Sequence, residues 1–274
     1  MPSLHEVLST LLEEKRELWF PGLAPLLVAN FWETTPVSGN AAAYTTQGWL
    51  GGGPDDPEVK IAQLPLGRFV SSIESLFITT RRSFSDLSFG TNESAEWLPQ
   101  LRRAAKTLSM VNGLADSVGC LARSIHVLRA PTDHDVSHST PALPFSIFVS
   151  VPEAGEKDAI LRLAESLVHE AMHLQLTLIN QAEPLLIDGH RQGYSPWKQE
   201  LRPIEGLLHG LYVFAVIHQV LRLFAQTDPR SHGYCGKRRI QIESEVASLP
   251  PAPEGLSTVG RALWRRSTVS VLSA

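Results

Sequence analysis

Residues 163–178, LAESLVHEAMHLQLTL, constrain this chain more than any other stretch. Leu163, Leu167, Val168, Met172, Leu174 and Leu176 make a helix that is apolar over most of its surface, the pattern of an element buried in a core. Yet His169, Glu170 and His173 fall in its middle. An imidazole or carboxylate taken out of water without a partner costs stability, so a chain that folds around this helix must supply something for these three groups. His169 and His173 stand four apart and project from one helix face, where both reach a common atom, while Glu170 points to an adjacent face. Written HExxH, the spacing suits two nitrogen ligands to a divalent ion and a glutamate that handles a proton on ion-bound water. The alternative is a pair of core histidines bonded to backbone or water.

With 274 residues, 43% hydrophobic and 19% charged, the chain can bury one large core or two small ones. A formal net charge of −4, and no basic run beyond GKRR at 236–239, argue against a nucleic-acid partner. The start of the chain has acidic residues where a signal would be basic. No window reaches the ~18 consecutive apolar residues of a membrane span, so a cytoplasmic protein with no membrane partner is expected. Cys120 and Cys235, far apart and outside any CxxC pair, indicate neither disulfide nor thiolate metal site.

Helical spacing of Leu4, Val7, Leu8, Leu11 and Leu12 predicts a helix over 3–20. The Gly-, Pro- and Thr-rich stretch 20–67 predicts loops with short extended pieces. Its glycine triplet 51–53 lacks the Lys-Ser/Thr of a phosphate loop. A further helix is predicted over about 95–122. Two β-rich pieces, SIHVLRAP (124–131) and FSIFVSVP (145–152), predict strands joined by a polar loop. After the HExxH helix and a Pro/Gly-rich connection, a strong helix is predicted from Pro203 to about Phe224. The tail ALWRRSTVSVLSA predicts another. The expected fold is mainly α with a small β-sheet (α+β), the HExxH helix packing on the sheet in a zincin-like manner, with SIFVSV as the open edge. Residues 1–120 form an N-terminal, mostly helical region and 121–274 the HExxH region, or the two make one continuous domain.

Two imidazoles do not complete a metal site. The helix RPIEGLLHGLYVF carries Glu205 and His209 four apart among apolar neighbours. Glu205 would complete two histidines and one carboxylate, a set suited to non-haem iron and compatible with zinc. His209 would give three histidines. Glu205 is preferred, with His209 then orienting a ligand from one turn away, and the reverse assignment stays open. A carboxylate complementing a helix start, and a bonded core histidine, are the structural alternatives. His134 and His138 are also four apart, but prolines and turn formers bracket them, so a solvated loop is expected, with His138 close enough in sequence to line the cleft.

LVHEAMH, followed after about twenty residues by YSPWKQELRPIEGLLHGLYVF, resembles the HExxH-type peptide-modification proteins encoded with ribosomally made peptides, over roughly residues 120–225. The resemblance implies an iron(II)- and 2-oxoglutarate-dependent dioxygenase that β-hydroxylates a precursor peptide. Such an enzyme needs a cation for the cosubstrate's distal carboxylate, and Arg202, just before the ligand-bearing helix, is the first candidate, ahead of Arg191 and Lys198. Glu170 would then position a histidine or water. In the alternative, a zinc metallopeptidase, Glu170 is the general base. A third reading is an inactive peptide-binding subunit that has kept the helix.

Overall fold

The structure, a computed structural model, describes residues 4–13, 17–34, 94–122, 124–128, 135–139 and 145–273. The glycine triplet and most of the expected loop stretch lie outside the described residues. The order is α1 (Leu4–Glu13), α2 (Leu23–Thr34), α3 (Ser94–Leu108), α4 (Leu114–Leu121), β1 (Ser124–Leu128), β2 (Ser137–Ser139), β3 (Ser146–Ser150) and α5 (Ala159–Ala182), which bears HExxH. Then come β4 (Gln192–Ser195), β5 (Glu200–Pro203), α6 (Ile204–Thr227), a 3₁₀ turn at Pro229–Ser231, α7 (His232–Ala247) and α8 (Thr258–Leu272). The fold is mainly α with small sheets, as the periodicity predicts.

Helix α5 is the organising element. Its buried residues run around most of its circumference because α2, α3, α4, α6, β2 and β3 all pack on it. Helix α6 follows Pro203, whose fixed φ of −54° and missing N–H suit the residue before a helix. By length and composition α6 could cross a membrane. It is instead mostly buried, held by α5, α7 and α8, which makes it the second core helix. One hydrophobic cluster extends from Leu8 to Val271 and draws on both 1–120 and 121–274.

Several expectations are corrected. The first helix is described over Leu4–Glu13, and 17–20, expected to continue it, is a turn with Phe20 at φ 46°. That turn has no ladder for its backbone, so core side chains satisfy it. Leu18 N–H donates to Gln219 Oε1 (2.9 Å), Tyr212 Oη donates to the Leu18 carbonyl (3.0 Å), and Gln175 Nε2 donates to the Trp19 carbonyl (3.1 Å). Helix α2 forms within the stretch expected to be loop, because Pro25 falls in its first turn, where the missing N–H has no helical partner to lose. The 95–122 helix is two helices, broken where Gly113 takes φ 68°.

The larger sheet has the order β1-β3-β2, with β1 parallel and β2 antiparallel to β3. All five β3 residues are buried, so SIFVSV is the central strand and not the edge. The loop holding His138 supplies the outer strand β2 instead, its residues half-buried. The Pro/Gly-rich connection before α6 contains the antiparallel hairpin β4–β5.

Candidate metal centre

One side of α5 is only partly buried. Arg162, Glu165, Ser166, His169, His173, Thr177 and Asn180 are its half-buried residues there, three or four apart, and form a polar stripe on an otherwise enclosed helix. The histidines sit in the middle of the stripe. His169 Nε2 and His173 Nε2 are 3.2 Å apart, and on its other side His173 Nδ1 is 3.2 Å from Nδ1 of His209 on α6, with the two rings stacked at 15°. Three imidazoles from two helices thus form a contiguous row.

Burial, first of all, holds each of them neutral. His169 is pushed down to about 4, further lowered by the charges of Arg238 and Lys198. Burial also takes His209 to about 4, and lowers His173 well below its ordinary value, where its neighbouring histidines add to the effect. Neutral imidazole is the form that ligates metal. Two nitrogens about 2.0–2.1 Å from one tetrahedral ion stand about 3.3 Å apart, close to the spacing of the HExxH pair. Among the described residues no three His, Cys, Asp or Glu side chains are already arranged around one ion position. The reason is local: His209 meets the nitrogen of His173 that faces away from His169. Donor type, protonation state and spacing of the His169–His173 pair fit a divalent ion, and His209 lies beside His173 as a further nitrogen.

Glu170 has a separate partner set. Its side chain is 3% exposed, and its oxygens accept from Ser137 Oγ and Ser139 Oγ of β2, both at 2.6 Å. Residues two apart on a strand share a face, so both hydroxyls meet one carboxyl. Burial raises its pKa to about 7 against the pull of these two bonds. Oε1 lies 3.9 Å from His169 Nε2, which is no ion pair at neutral pH because His169 is uncharged there.

Of the two candidates for third donor, the structure brings His209 to the pair and leaves Glu205 exposed in the first turn of α6, where a carboxylate complements the helix N-terminus. Arg202 does not reach the histidines through any contact. It lies in β5 and donates from Nη1 to Glu200, two residues away on the same face, at 3.0 Å. Arg191 is exposed and pairs with Asp188 and Glu254. His138 lies in β2, close enough for its charge to act on His173, while His134 is outside the described residues.

Other side chains reach the site from parts of the chain without a legible motif. Phe214, on α6, stands edge-on to His169 (5.7 Å between centroids), and Trp197 packs on Phe214 (5.5 Å). Trp197 occupies the β4–β5 turn, closed by Gln199 N–H donating to the Ser195 carbonyl (2.7 Å). It lies so close to α6 that a Cβ on Gly210 would collide with its indole. From α7, Arg238 spreads its guanidinium over Phe214 at 5.4 Å and donates from Nε to Glu165 (2.8 Å), whose other oxygen accepts from Tyr234 Oη (2.6 Å).

The site's titration in the metal-free protein has opposite signs in two ranges. Unfolded imidazoles take up protons near 6.5, whereas His169 and His209 do so only near 4 and burial also holds His173 well below its ordinary value, so stability held above 6.5 is lost as pH falls towards 4. Glu170 titrates at about 7 folded and 4.5 unfolded, so its contribution, full below 4.5, is lost as pH rises to 7. Melting midpoints of metal-free protein measured from pH 7.5 to 4 are expected to fall less steeply on the acid side in His173→Ala. They should lose the opposing slope between 4.5 and 7 in Glu170→Gln. Profiles parallel to wild type in both variants would contradict the buried neutral cluster.

No family model matches the chain, and no curated protein matches it.

Proposed function

We propose that the chain is a cytoplasmic non-haem iron oxygenase that uses 2-oxoglutarate to hydroxylate a ribosomally made precursor peptide. The observation that supports it best is the row of three neutral imidazoles, His169, His173 and His209, from two core helices and beside two cations. Iron held there with 2-oxoglutarate would supply oxygen insertion, one atom of dioxygen entering a peptide C–H bond and the other the succinate formed as 2-oxoglutarate loses carbon dioxide. The protein's share is positional. Burial keeps the imidazoles unprotonated, Phe214 packs edge-on to His169 with Trp197 behind it, and Glu170 ties α5 to the outer strand β2 through Ser137 and Ser139. A peptide added in extended form along β2 would lie beside the HExxH turn, which supports a peptide substrate.

A zinc hydrolase is the second reading, favoured by one observation: Glu170 titrates near 7, the range of a working general base. Against it stands the engagement of both carboxyl oxygens by serine hydroxyls. Anaerobically reconstituted protein, given iron(II), 2-oxoglutarate, dioxygen and the peptide encoded beside its gene, is expected to release succinate and return an intact peptide heavier by one oxygen atom. Cleaved peptide formed without 2-oxoglutarate or dioxygen would overturn the oxygenase in favour of the hydrolase.

A further inference from the structure

The face that α6 turns to α7 holds a histidine outside the row. The side chain of His218 is 0% exposed, and two groups of α7 approach its Nε2 with opposite demands. Glu243 Oε1, an acceptor, stands 2.8 Å away, and Arg239 Nε, a donor, 3.3 Å away. One nitrogen cannot donate to the first and accept from the second. The shorter contact and the charge of the carboxylate assign the proton to Nε2, which leaves Nδ1 bare, buried and without a partner among the described residues. A second proton would go to Nδ1. It would make a buried N–H with no acceptor, on a cation beside Arg239 and one helical turn from Arg222, whose own Nε is buried and unpartnered. Burial first, and the charges of Arg239 and Arg222, hold the ring below its ordinary 6.5 against the pull of Glu243. The packed joint favours the neutral ring.

We propose that His218 is a proton-operated release for α7: the ring takes up its second proton as α7 lifts from α6 and water reaches Nδ1. The lifted histidine titrates at its ordinary value and the packed one lower, so the stability of this contact, whole above 6.5, is lost as pH falls below it. What the lift undoes lies on the other side of α7. Tyr234 and Arg238 there donate to Glu165 of α5 (2.6 and 2.8 Å), and Arg238 lies over Phe214, so acid that frees α7 from α6 also loosens its hold on α5, one turn from His169. The inference needs neither a metal at the histidine row nor the reaction proposed for it.

The test is amide hydrogen exchange of the full metal-free chain at pH 7.5 and 5.5, corrected for intrinsic rates, in guanidinium too dilute to unfold the core, so that local openings are read. Protection of α7 amides in the wild type is expected to fall about tenfold, the most that one proton taken up at 6.5 gives over the pH unit below it. His218→Gln has no proton to take up there, still donates to Glu243, and should give a nearly flat profile. Arg222→Met keeps the histidine and removes a charge that opposes its second proton, so its fall should be shallower than that of wild type. This variant decides the matter should the glutamine variant fold poorly. No fall in the wild type, an equal fall in His218→Gln, an unchanged slope in Arg222→Met, or a fall that α5 and α6 share in the same measure would overturn the proposal.

Discussion

Replacing His169 or His173 with Ala is expected to abolish retention of a divalent ion while leaving far-ultraviolet dichroism and the melting transition of the metal-free protein close to wild type. Each change removes a nitrogen of a pair spaced for one ion, whereas the apolar packing that forms α5 lies on its other faces. His209→Ala should also lose the ion, by more than the about 10–100-fold that outer partners of a ligand cost, and Glu205→Ala should retain it, since that carboxylate is exposed at the start of α6. Metal content after anaerobic reconstitution and desalting checks all four. Full retention in both HExxH variants would end the metal reading, and loss in Glu205→Ala with retention in His209→Ala would return the third position to the carboxylate.

The second large effect divides structure from chemistry at Glu170. Glu170→Ala leaves Ser137 and Ser139 facing a void with no acceptor, and is expected to destabilise the protein by about 1–3 kcal/mol for each stranded hydroxyl. Glu170→Gln fills the space, keeps hydrogen bonding to both serines, and should melt within about 1 kcal/mol of wild type. Activity then discriminates between mechanisms on a folded protein. A hydrolase that relies on this base should lose several orders of magnitude in the Gln variant, whereas an oxygenase should retain part of its turnover. Product mass and chemical denaturation, measured on the same preparations, separate the two effects.

The parts of the site legible in the sequence are those carried by single periodic helices. Four-residue spacing placed His169 with His173, and the apolar surroundings announced that α5 and α6 are core elements. Choosing between Glu205 and His209 needed the rotation and axial position of α6 against α5, which no periodicity encodes. Arg202 was attractive through its nearness in sequence to α6, but it lies in a strand, where the residue two positions away, Glu200, shares its face and takes its charge. Arg238, Phe214 and Trp197 come from three different elements and meet only because α6 packs on α5 and α7. Gly210 is the nearest thing to a signal for them, a residue without a side chain directly after His209, but its partner Trp197 is thirteen positions upstream. The strand β2 was hidden because three residues between turn formers are too few to show alternation.

That brevity gives the serine clamp a further meaning. A three-residue outer strand has little of its own to define how it is threaded against β3, and a slip by one residue would turn His138 towards Glu170 and both hydroxyls away. The buried carboxyl therefore works as a gauge of alignment: only one of the neighbouring threadings offers it two donors. On the reading proposed above, an extended peptide added to β2 would take up that same alignment.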